Sequence, residues 1–279
     1  MTKKFYKMHG IGNDYIYFDA FDGMPDNPSE IAIKLSDRHT SVGGDGVIFV
    51  AKSERADGFM RIFNLDGSEG KMCGNGIRCV GKFLYEIKGI KKDVLQVETL
   101  SGVKTLALDI KDGKVVSVKV DMGRAELRPE KIPALFAGDR VVKAPLKVGN
   151  ETYEVTLVSM GNPHCVTFLS DLDGLEIEKI GRKFEFHEAF PERVNTEFVK
   201  VLKNNEIQMR VWERGSGETM ACGTGACAAA VASILNGYCE KDKEVLVHLR
   251  GGALKIRYTD DTVFMTGGAE LAFTGEVEL

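Results

Sequence analysis

Two cysteines open two short glycine-rich segments of this chain, and both segments could do the same chemistry. Cys73-Gly74-Asn75-Gly76 recurs 149 residues later as Cys222-Gly223-Thr224-Gly225. We expect each segment to begin a helix, where the first N–H groups lack partners inside the helix and the dipole adds positive potential. Such an end binds carboxylate or phosphate and lowers the pKa of a cysteine from about 8.5 toward neutrality. Each segment could therefore activate a thiol and hold an anion beside it.

Together the two segments predict a reaction at one carbon. If both helix ends face the same carboxylate, one sulfur lies on each face of the α-carbon. A thiolate then removes the proton while a thiol delivers another from the opposite side, and the configuration inverts. The other cysteines lack such a setting, and we expect them to be structural. They are Cys79, Cys165, Cys227 and Cys239.

The elements that must position these cysteines also occur twice. The offset of 149 residues joins three more pairs of segments, which argues for an internal duplication. These pairs are Met60-Arg61-Ile62-Phe63 with Met209-Arg210-Val211-Trp212, Gly12-Asn13 with Gly161-Asn162, and Phe49-Val50 with Phe198-Val199. We predict a first repeat at 1–120, completed by a strand at about 270–279, and a second at 121–269. The active site is expected in the cleft between them.

Each repeat reads as strands, a loop, a buried helix and further strands. The helix after Cys73 should end at Gly89, and the apolar helix of the second repeat should run from about Ala226 to Leu235. Three strands between 94 and 120 suggest an antiparallel meander. Because strands outnumber helices and no parallel βαβ alternation is evident, we predict an α+β fold. It has two pseudo-symmetric domains, each a curved and mainly antiparallel sheet wrapped around a central helix.

Composition excludes several classes of protein. The 279 residues carry a formal net charge of −4, so no basic field favours nucleic acid. No apolar run reaches the length of a membrane span and no signal peptide is evident, so we expect a cytoplasmic protein. The spacing of the cysteines does not suit a metal site. Gly223 to Ala228 matches a dinucleotide fingerprint only formally, without a flanking βαβ unit, so we expect no cofactor.

Four groups of residues closely resemble the diaminopimelate epimerase family. They follow the family's order, and the resemblance runs nearly end to end. The segments are Lys7-Met8-His9-Gly10-Ile11-Gly12-Asn13-Asp14, Met72-Cys73-Gly74-Asn75-Gly76-Ile77-Arg78-Cys79, Gly161-Asn162-Pro163-His164-Cys165, and Glu213-Arg214-Gly215-Ser216-Gly217-Glu218-Thr219 with Ala221-Cys222-Gly223-Thr224-Gly225-Ala226-Cys227-Ala228.

The resemblance implies the interconversion of LL- and meso-diaminopimelate without PLP or metal. This step supplies lysine and peptidoglycan precursors, and the family suggests a homodimer. By resemblance, Cys73 and Cys222 are the two bases, and His164 and Glu213 assist the thiols in proton transfer. The residues implied in substrate binding are Asn13, Asn64, Gly74, Asn75, Asn162, Asn195, Arg214, Gly223 and Thr224.

Two alternatives stay open at this point. One is a proline or hydroxyproline racemase, which would have no use for Arg214 and the asparagines that hold a distal amino acid end. The other is a non-catalytic protein, either a thiol redox sensor or a binding module, in which two low-pKa thiols form a disulfide. Taken alone, His164 would be a hydrogen-bonded loop histidine and Asn64 a turn residue.

Overall fold

The computed structural model describes residues 2–279, which form two compact units. Unit 1 extends to Asp121 and also includes Thr266–Leu279, and unit 2 is Met122–Met265. That these units are the two repeats of the sequence stays a prediction. No helix within 2–279 is long and apolar enough to cross a membrane.

Unit 1 combines an extended series of strands with two helices. Its helices are α1 (Pro28–Ser36) and α2 (Gly74–Lys82), and a π-helical turn at Phe83–Ile87 continues α2. Its strands before unit 2 are β1 (Thr2–Gly10), β2 (Asn13–Ala20), β3 (Gly46–Ala51), β4 (Gly58–Asn64), β5 (Glu69–Gly70), β6 (Val94–Thr99), β7 (Gly102–Lys111) and β8 (Lys114–Asp121).

Unit 2 has a similar order of elements. Its helices are α3 (Ile177–Glu185) and α4 (Gly223–Leu235), and a single 3-10 turn lies at Pro129–Lys131. Its strands are β9 (Ala144–Val148), β10 (Glu151–Ser159), β11 (Pro163–Phe168), β12 (Asn195–Lys203), β13 (Glu206–Glu213), β14 (Gly217–Glu218), β15 (Glu244–Leu249), β16 (Gly252–Tyr258) and β17 (Val263–Gly267), and the last two residues of β17 already belong to unit 1.

The chain then returns to unit 1 with β18 (Glu270–Glu278). This strand pairs antiparallel with β1, from Thr2 opposite Glu278 to His9 opposite Glu270. The other side of β1 pairs antiparallel with β2. In unit 2, β10 has the corresponding place between β9 and β11, and both of its pairings are antiparallel.

Most strand pairs are antiparallel, and β6, β7 and β8 form the meander that the sequence predicted. The expectation that parallel βαβ units are absent is wrong. β2 pairs parallel with β3 across α1, and β4 pairs parallel with β6 across α2. Unit 2 repeats both crossovers, β11 with β12 and β13 with β15. Alternating polarity along a strand reveals its buried face but not the direction of its neighbour, so the sequence did not reveal these pairs.

The helices that begin at the two cysteines lie in the cores of their units. Every residue of α2 is buried, and α4 is buried from Gly225 through Ser233. Small residues allow close packing here, since an added Cβ at Gly81 would lie 2.9 Å from Leu106. The helix predicted from about Ala226 begins at Gly223 in the structure, because the Cys222 side chain caps it. α2 and its π turn end before Gly89, whose φ of 73° suits a residue without a side chain.

Candidate active site

Cys73 is the N-cap residue of α2, at the place where the sequence predicted a helix start. Its Sγ accepts a hydrogen bond from the Gly76 N–H at 3.4 Å. Sγ also lies 3.5 Å from Oδ1 of Asn13, at the start of β2. The thiol is partly exposed. Gly74 and Asn75 follow it in the first helical turn, and the first turn of a helix is a place where anions bind.

Cys222 caps α4 with the same geometry. Its Sγ accepts from the Gly225 N–H at 3.3 Å and lies 3.5 Å from Oγ1 of Thr224. Unlike Cys73 it is buried, with 5% of its surface exposed. Gly223 and Thr224 therefore have the same place in α4 that Gly74 and Asn75 have in α2.

The expectation that a helix start lowers the thiol pKa is wrong for Cys222. Burial raises the pKa of this thiol well above its ordinary value, and the carboxylates of Glu213 and Glu197 raise it further. Hydrogen bonds from Thr224 and the Gly225 N–H oppose this without cancelling it. Loss of hydration destabilises the thiolate more than the helix start stabilises it, so Cys222 stays a thiol.

Glu213 ends β13 with its carboxylate within hydrogen-bonding reach of the Cys222 thiol. Burial raises the pKa of Glu213, while hydrogen bonds from Thr219 and Cys222 act in the other direction. The Thr219 hydroxyl donates to Oε1 at 2.5 Å. A carboxylate with a raised pKa beside a thiol can exchange a proton with it.

His164 is fully buried on β11, and both of its ring nitrogens face oxygen atoms. Nδ1 lies 2.7 Å from Oε1 of Glu197, and Nε2 lies 3.1 Å from Oδ1 of Asn162. The Asn162 amide donates through Nδ2 to Thr224 Oγ1 at 3.3 Å. A chain of polar contacts therefore runs from Glu197 through His164, Asn162 and Thr224 to Cys222.

The corresponding contacts in unit 1 use different groups. Asn13 donates through Nδ2 to Oδ2 of Asp45 at 2.6 Å, and Arg38 donates to Oδ1 of the same carboxylate at 2.9 Å. Tyr15 stands where the 149-residue offset would put His164. Burial raises the pKa of Tyr15, and so do the nearby groups of Cys73 and Asp45. The phenol therefore stays neutral beside Cys73.

Three other predicted site residues have structural hydrogen bonds. Asn64 ends β4 and donates to Ser68 Oγ at 3.1 Å, which is the turn contact that its sequence context suggested. Asn195 is buried, donates to the Pro163 carbonyl at 2.9 Å and accepts from the Arg214 N–H at 3.0 Å. The Arg214 guanidinium donates to the Glu192 carbonyl at 2.9 Å and is otherwise exposed. Asn195 thus holds the loop that presents Arg214.

The remaining cysteines are buried, as a structural role requires. Burial raises the pKa of Cys79 to about 11 and that of Cys165 well above its ordinary value. Within the described residues, no cluster of three or more histidine, cysteine or acidic side chains is arranged to hold a metal ion.

Comparison with known sequences agrees with this geometry. The sequence model of the diaminopimelate epimerase family matches residues 5–128 and 156–272. The chain belongs to the diaminopimelate epimerase family. The diaminopimelate epimerase of Acetivibrio thermocellus is 50% identical over 278 residues, covering 99% of each chain. That of Desulfovibrio desulfuricans is 51% identical over 282 residues, covering 98% of this chain and 97% of its own.

Solved structures share the fold at much lower identity. A hydroxyproline epimerase from Agrobacterium vitis, with bound trans-4-hydroxy-L-proline, is 15% identical with a TM-score of 0.69. The match covers 99% of this chain and 92% of that one. At this identity the likeness concerns the fold alone. The family, the α+β fold class and the isomerase activity that the sequence predicted are thereby confirmed.

Two residues beside the thiols were missed from the sequence, Tyr15 and Glu197. The offset itself could have found both, because it pairs Tyr15 with the predicted His164 and Glu197 with Ile48. A glutamate opposite an isoleucine of a buried strand is a departure from the repeat. Positions at which the two repeats of this epimerase family member differ in this way make the surroundings of the two thiols different.

Proposed function

We propose that the chain interconverts LL- and meso-diaminopimelate with Cys73 and Cys222 as the two acid/base groups. The observation that carries this proposal is the matched pair of cysteine N-caps on α2 and α4. Each thiol stands at the start of a helix, where backbone N–H groups are suited to binding a carboxylate. The step belongs to the supply of lysine and of peptidoglycan precursors.

The reaction moves one proton off the α-carbon and another onto its opposite face. In the direction where Cys73 is the base, its thiolate takes the α-proton and the Cys222 thiol delivers one. The raised pKa of Cys222 suits this donor role. In the reverse direction the roles exchange, and the carboxylate of Glu213 takes the proton that Cys222 must lose. We assign His164 to the same proton transfer.

The substrate is held at both ends in this scheme. The backbone N–H groups at Gly74-Asn75 and Gly223-Thr224 bind the carboxylate at the reacting carbon. Arg214 binds the distal carboxylate, because its planar guanidinium can donate two parallel hydrogen bonds. The asparagines complete the distal site, since an amide can both donate to a carboxylate and accept from an ammonium group. They are Asn13, Asn64, Asn162 and Asn195.

The decisive experiment measures deuterium incorporation and the configuration of the product together. Reduced protein, treated with chelator and free of PLP, is incubated with LL-diaminopimelate in D2O, and products are followed by chiral chromatography and mass spectrometry. We expect the meso isomer to appear with deuterium at its α-carbon. Absence of both turnover and exchange would remove diaminopimelate as the substrate.

A parallel incubation with L-proline and trans-4-hydroxy-L-proline separates this activity from that of a proline-type racemase. Neither substrate has a distal amino acid end for Arg214 to bind, so we expect no inversion of either. If proline were inverted and diaminopimelate were left unchanged, the protein would instead be assigned as a proline-type racemase.

We also propose that the enzyme is a cytoplasmic homodimer. The two-base scheme needs both sulfurs reduced, which the cytoplasm maintains. Leu271 and Phe273 on β18 are 39% and 50% exposed, and apolar side chains exposed on a strand favour association. Light scattering coupled to size exclusion should give a dimer mass, and Phe273→Lys should shift it toward the monomer.

A further inference from the structure

Glu197 is a buried carboxylate on β12 that the proposed reaction does not use. Its Oε1 contacts Nδ1 of His164 at 2.7 Å, and its Oε2 has no hydrogen-bond partner within residues 2–279. An ionised carboxylate in such a place is costly unless a cation or a proton neutralises it. His164 is placed to do so, because its Nδ1 contacts this carboxylate.

The hydrogen bonds of His164 define where its protons lie. The Asn162 amide is oriented by its donation to Thr224 Oγ1, so that its Oδ1 faces Nε2. An oxygen acceptor at each ring nitrogen leaves two arrangements, an imidazolium beside a carboxylate or an Nε2–H imidazole beside a protonated Glu197. Both leave the pair without net charge, and both put a proton on Nε2.

Packing alone does not require a carboxylate at this position. The residue 149 positions earlier is Ile48. An added Cβ at Gly76 would lie 2.7 Å from Cδ1 of Ile48, and one at Gly225 would lie 2.6 Å from Oε1 of Glu197. The two side chains thus fill equivalent places beside α2 and α4, and an apolar one suffices in unit 1.

We infer that Glu197 is a positioning residue, which holds the ring of His164 through the Nδ1–Oε1 hydrogen bond and so keeps Nε2 directed at Asn162. The inference rests on the proposed role of His164 in proton transfer. With Glu197 present, a proton lies between Nδ1 and Oε1, and the ring is held at both of its nitrogens. Without it, the single proton of a neutral ring stays on Nε2, where Asn162 accepts, and Nδ1 loses its partner. The other titratable groups near this pair are Glu213, Cys222 and Cys165.

The first test measures the hydrogen bonding and protonation of the His164 ring directly. Protein with ¹⁵N-labelled histidine is examined by NMR at pH 8, above the ordinary histidine pKa of about 6.5. The His164 signals, among those of five histidines, are identified by their loss in His164→Gln. We expect a hydrogen-bonded proton at Nδ1 in the natural protein and an Nδ1 without one in Glu197→Ile. An Nδ1 signal that is the same in Glu197→Ile as in the natural protein would overturn the inference.

The second test asks whether Glu197 acts through His164. Glu197→Gln should lower kcat roughly 10-fold or more, with KM within about twofold, since a partner that orients a catalytic histidine contributes on this order. In a His164→Gln background the same change should alter kcat less than about twofold. An equal loss in both backgrounds would show that Glu197 acts independently, which overturns the inference.

Thr196→Val is the matched control. Its hydroxyl is buried on the same strand without a hydrogen-bond partner among the described residues, so its removal tests repacking of β12 alone. We expect unchanged kcat, and a loss equal to that of Glu197→Gln would assign the effect to packing and overturn the inference. The NMR result needs no turnover, so it decides the role of Glu197 even if the natural protein leaves diaminopimelate unchanged and the proposed function fails.

Discussion

Cys73 and Cys222 have the same place in two similarly built units, but the groups around them differ in charge. Both cap a central helix and accept a hydrogen bond from the third N–H that follows. Tyr15 and Asn13, which are neutral, lie beside Cys73. Two carboxylates, Glu213 and Glu197, act on Cys222. The comparison teaches that the fold supplies a helix start at each thiol, whereas burial and the neighbouring carboxylates raise the pKa of Cys222.

The units also differ in how they hold the asparagine next to the cysteine. In unit 1 the amide of Asn13 donates to Asp45, a carboxylate that is also bound by the exposed Arg38. In unit 2 the amide of Asn162 contacts the fully buried His164. One asparagine is therefore tied to a surface ion pair and the other to a buried acid/base pair.

The largest effect is expected from removal of either sulfur. Cys73→Ala and Cys222→Ala should each lower epimerisation by at least about 10³-fold, because each removes an acid/base group that no neighbour replaces. Chiral chromatography measures the loss, and each variant should retain partial proton chemistry with one stereoisomer only.

Cys239→Ala is the control for these variants, since Cys239 is buried in unit 2 and has no part in the scheme. It should keep full activity. Comparable epimerisation remaining in both the Cys73 and the Cys222 variant would contradict the two-base assignment.

Glu213→Gln should make the environment of Cys222 more like that of Cys73. The variant removes a negative charge that disfavours the thiolate, so the pKa of Cys222 should fall while burial keeps it above the ordinary value. We expect kcat to fall about 10²-fold, because Glu213 no longer exchanges a proton with the thiol. Titration of the Cys222 ¹³Cβ signal by NMR measures the shift, and an unchanged titration would separate Glu213 from this thiol.

Two glycine substitutions compare the places beside the two helices. Gly225→Ala puts a Cβ 2.6 Å from Glu197 and 3.2 Å from Cys222 Sγ, so it should cost about 2–3 kcal/mol of unfolding free energy. Gly76→Ala meets the ends of flexible side chains, Ile48 at 2.7 Å and Met60 at 3.1 Å, and should cost less than half as much. Urea unfolding measures the loss of unfolding free energy in each variant. Equal losses would mean that the Glu197 side chain shifts as easily as that of Ile48.

The smallest effect is expected from the ion pairs of unit 1. Burial raises the pKa of Asp14, but hydrogen bonds from Arg38 and Lys7 outweigh it and the pKa is lowered overall. The resulting stability is present above the ordinary aspartate pKa of about 3.9 and is lost as pH falls through the lowered value. Asp14→Asn should therefore cost about 1 kcal/mol at pH 7 and nothing near pH 2. Urea unfolding at both pH values would show a constant difference if the pairing does not matter.

The helix starts could be predicted from the sequence because their signal is local and occurs twice. Cys73 and Cys222 each precede a glycine-containing turn and an apolar segment, and a cysteine at such a place can cap the helix. The alanine-rich α4 was predicted as buried because its apolar residues cover every face.

The sequence did not reveal helices α1 and α3 or the parallel strand pairs, and the reason is physical. In α1 the buried apolar residues are Ile31, Ala32 and Leu35, too few for a clear helical period in nine residues. α3 has an apolar stripe of similar size, and its Gly181 packs against Trp212 at a distance in sequence. Crossovers are set by such tertiary contacts.

The raised pKa of Cys222 could not be predicted either. A sequence shows a helix start but not how much water is removed from it, and here the removal of water dominates. Glu197 was visible in the sequence as a carboxylate next to the apolar pair Phe198-Val199 of strand Asn195–Lys203. Its partner His164 lies on the neighbouring strand, and only the register of β11 with β12 brings them together.

The pairing of β18 with β1 has a consequence for the order in which the molecule is made. Unit 2 is one continuous stretch of chain, but the ribosome completes Glu270–Glu278 only after all of unit 2 has been synthesised. During translation, the edge of β1 that will pair with β18 therefore stays unpaired and is exposed to neighbouring nascent chains. A contact between residues so far apart in sequence also forms late in refolding, since a long loop must close first. Truncation before Glu270 should thus impair the site of Cys73 while leaving that of Cys222 folded.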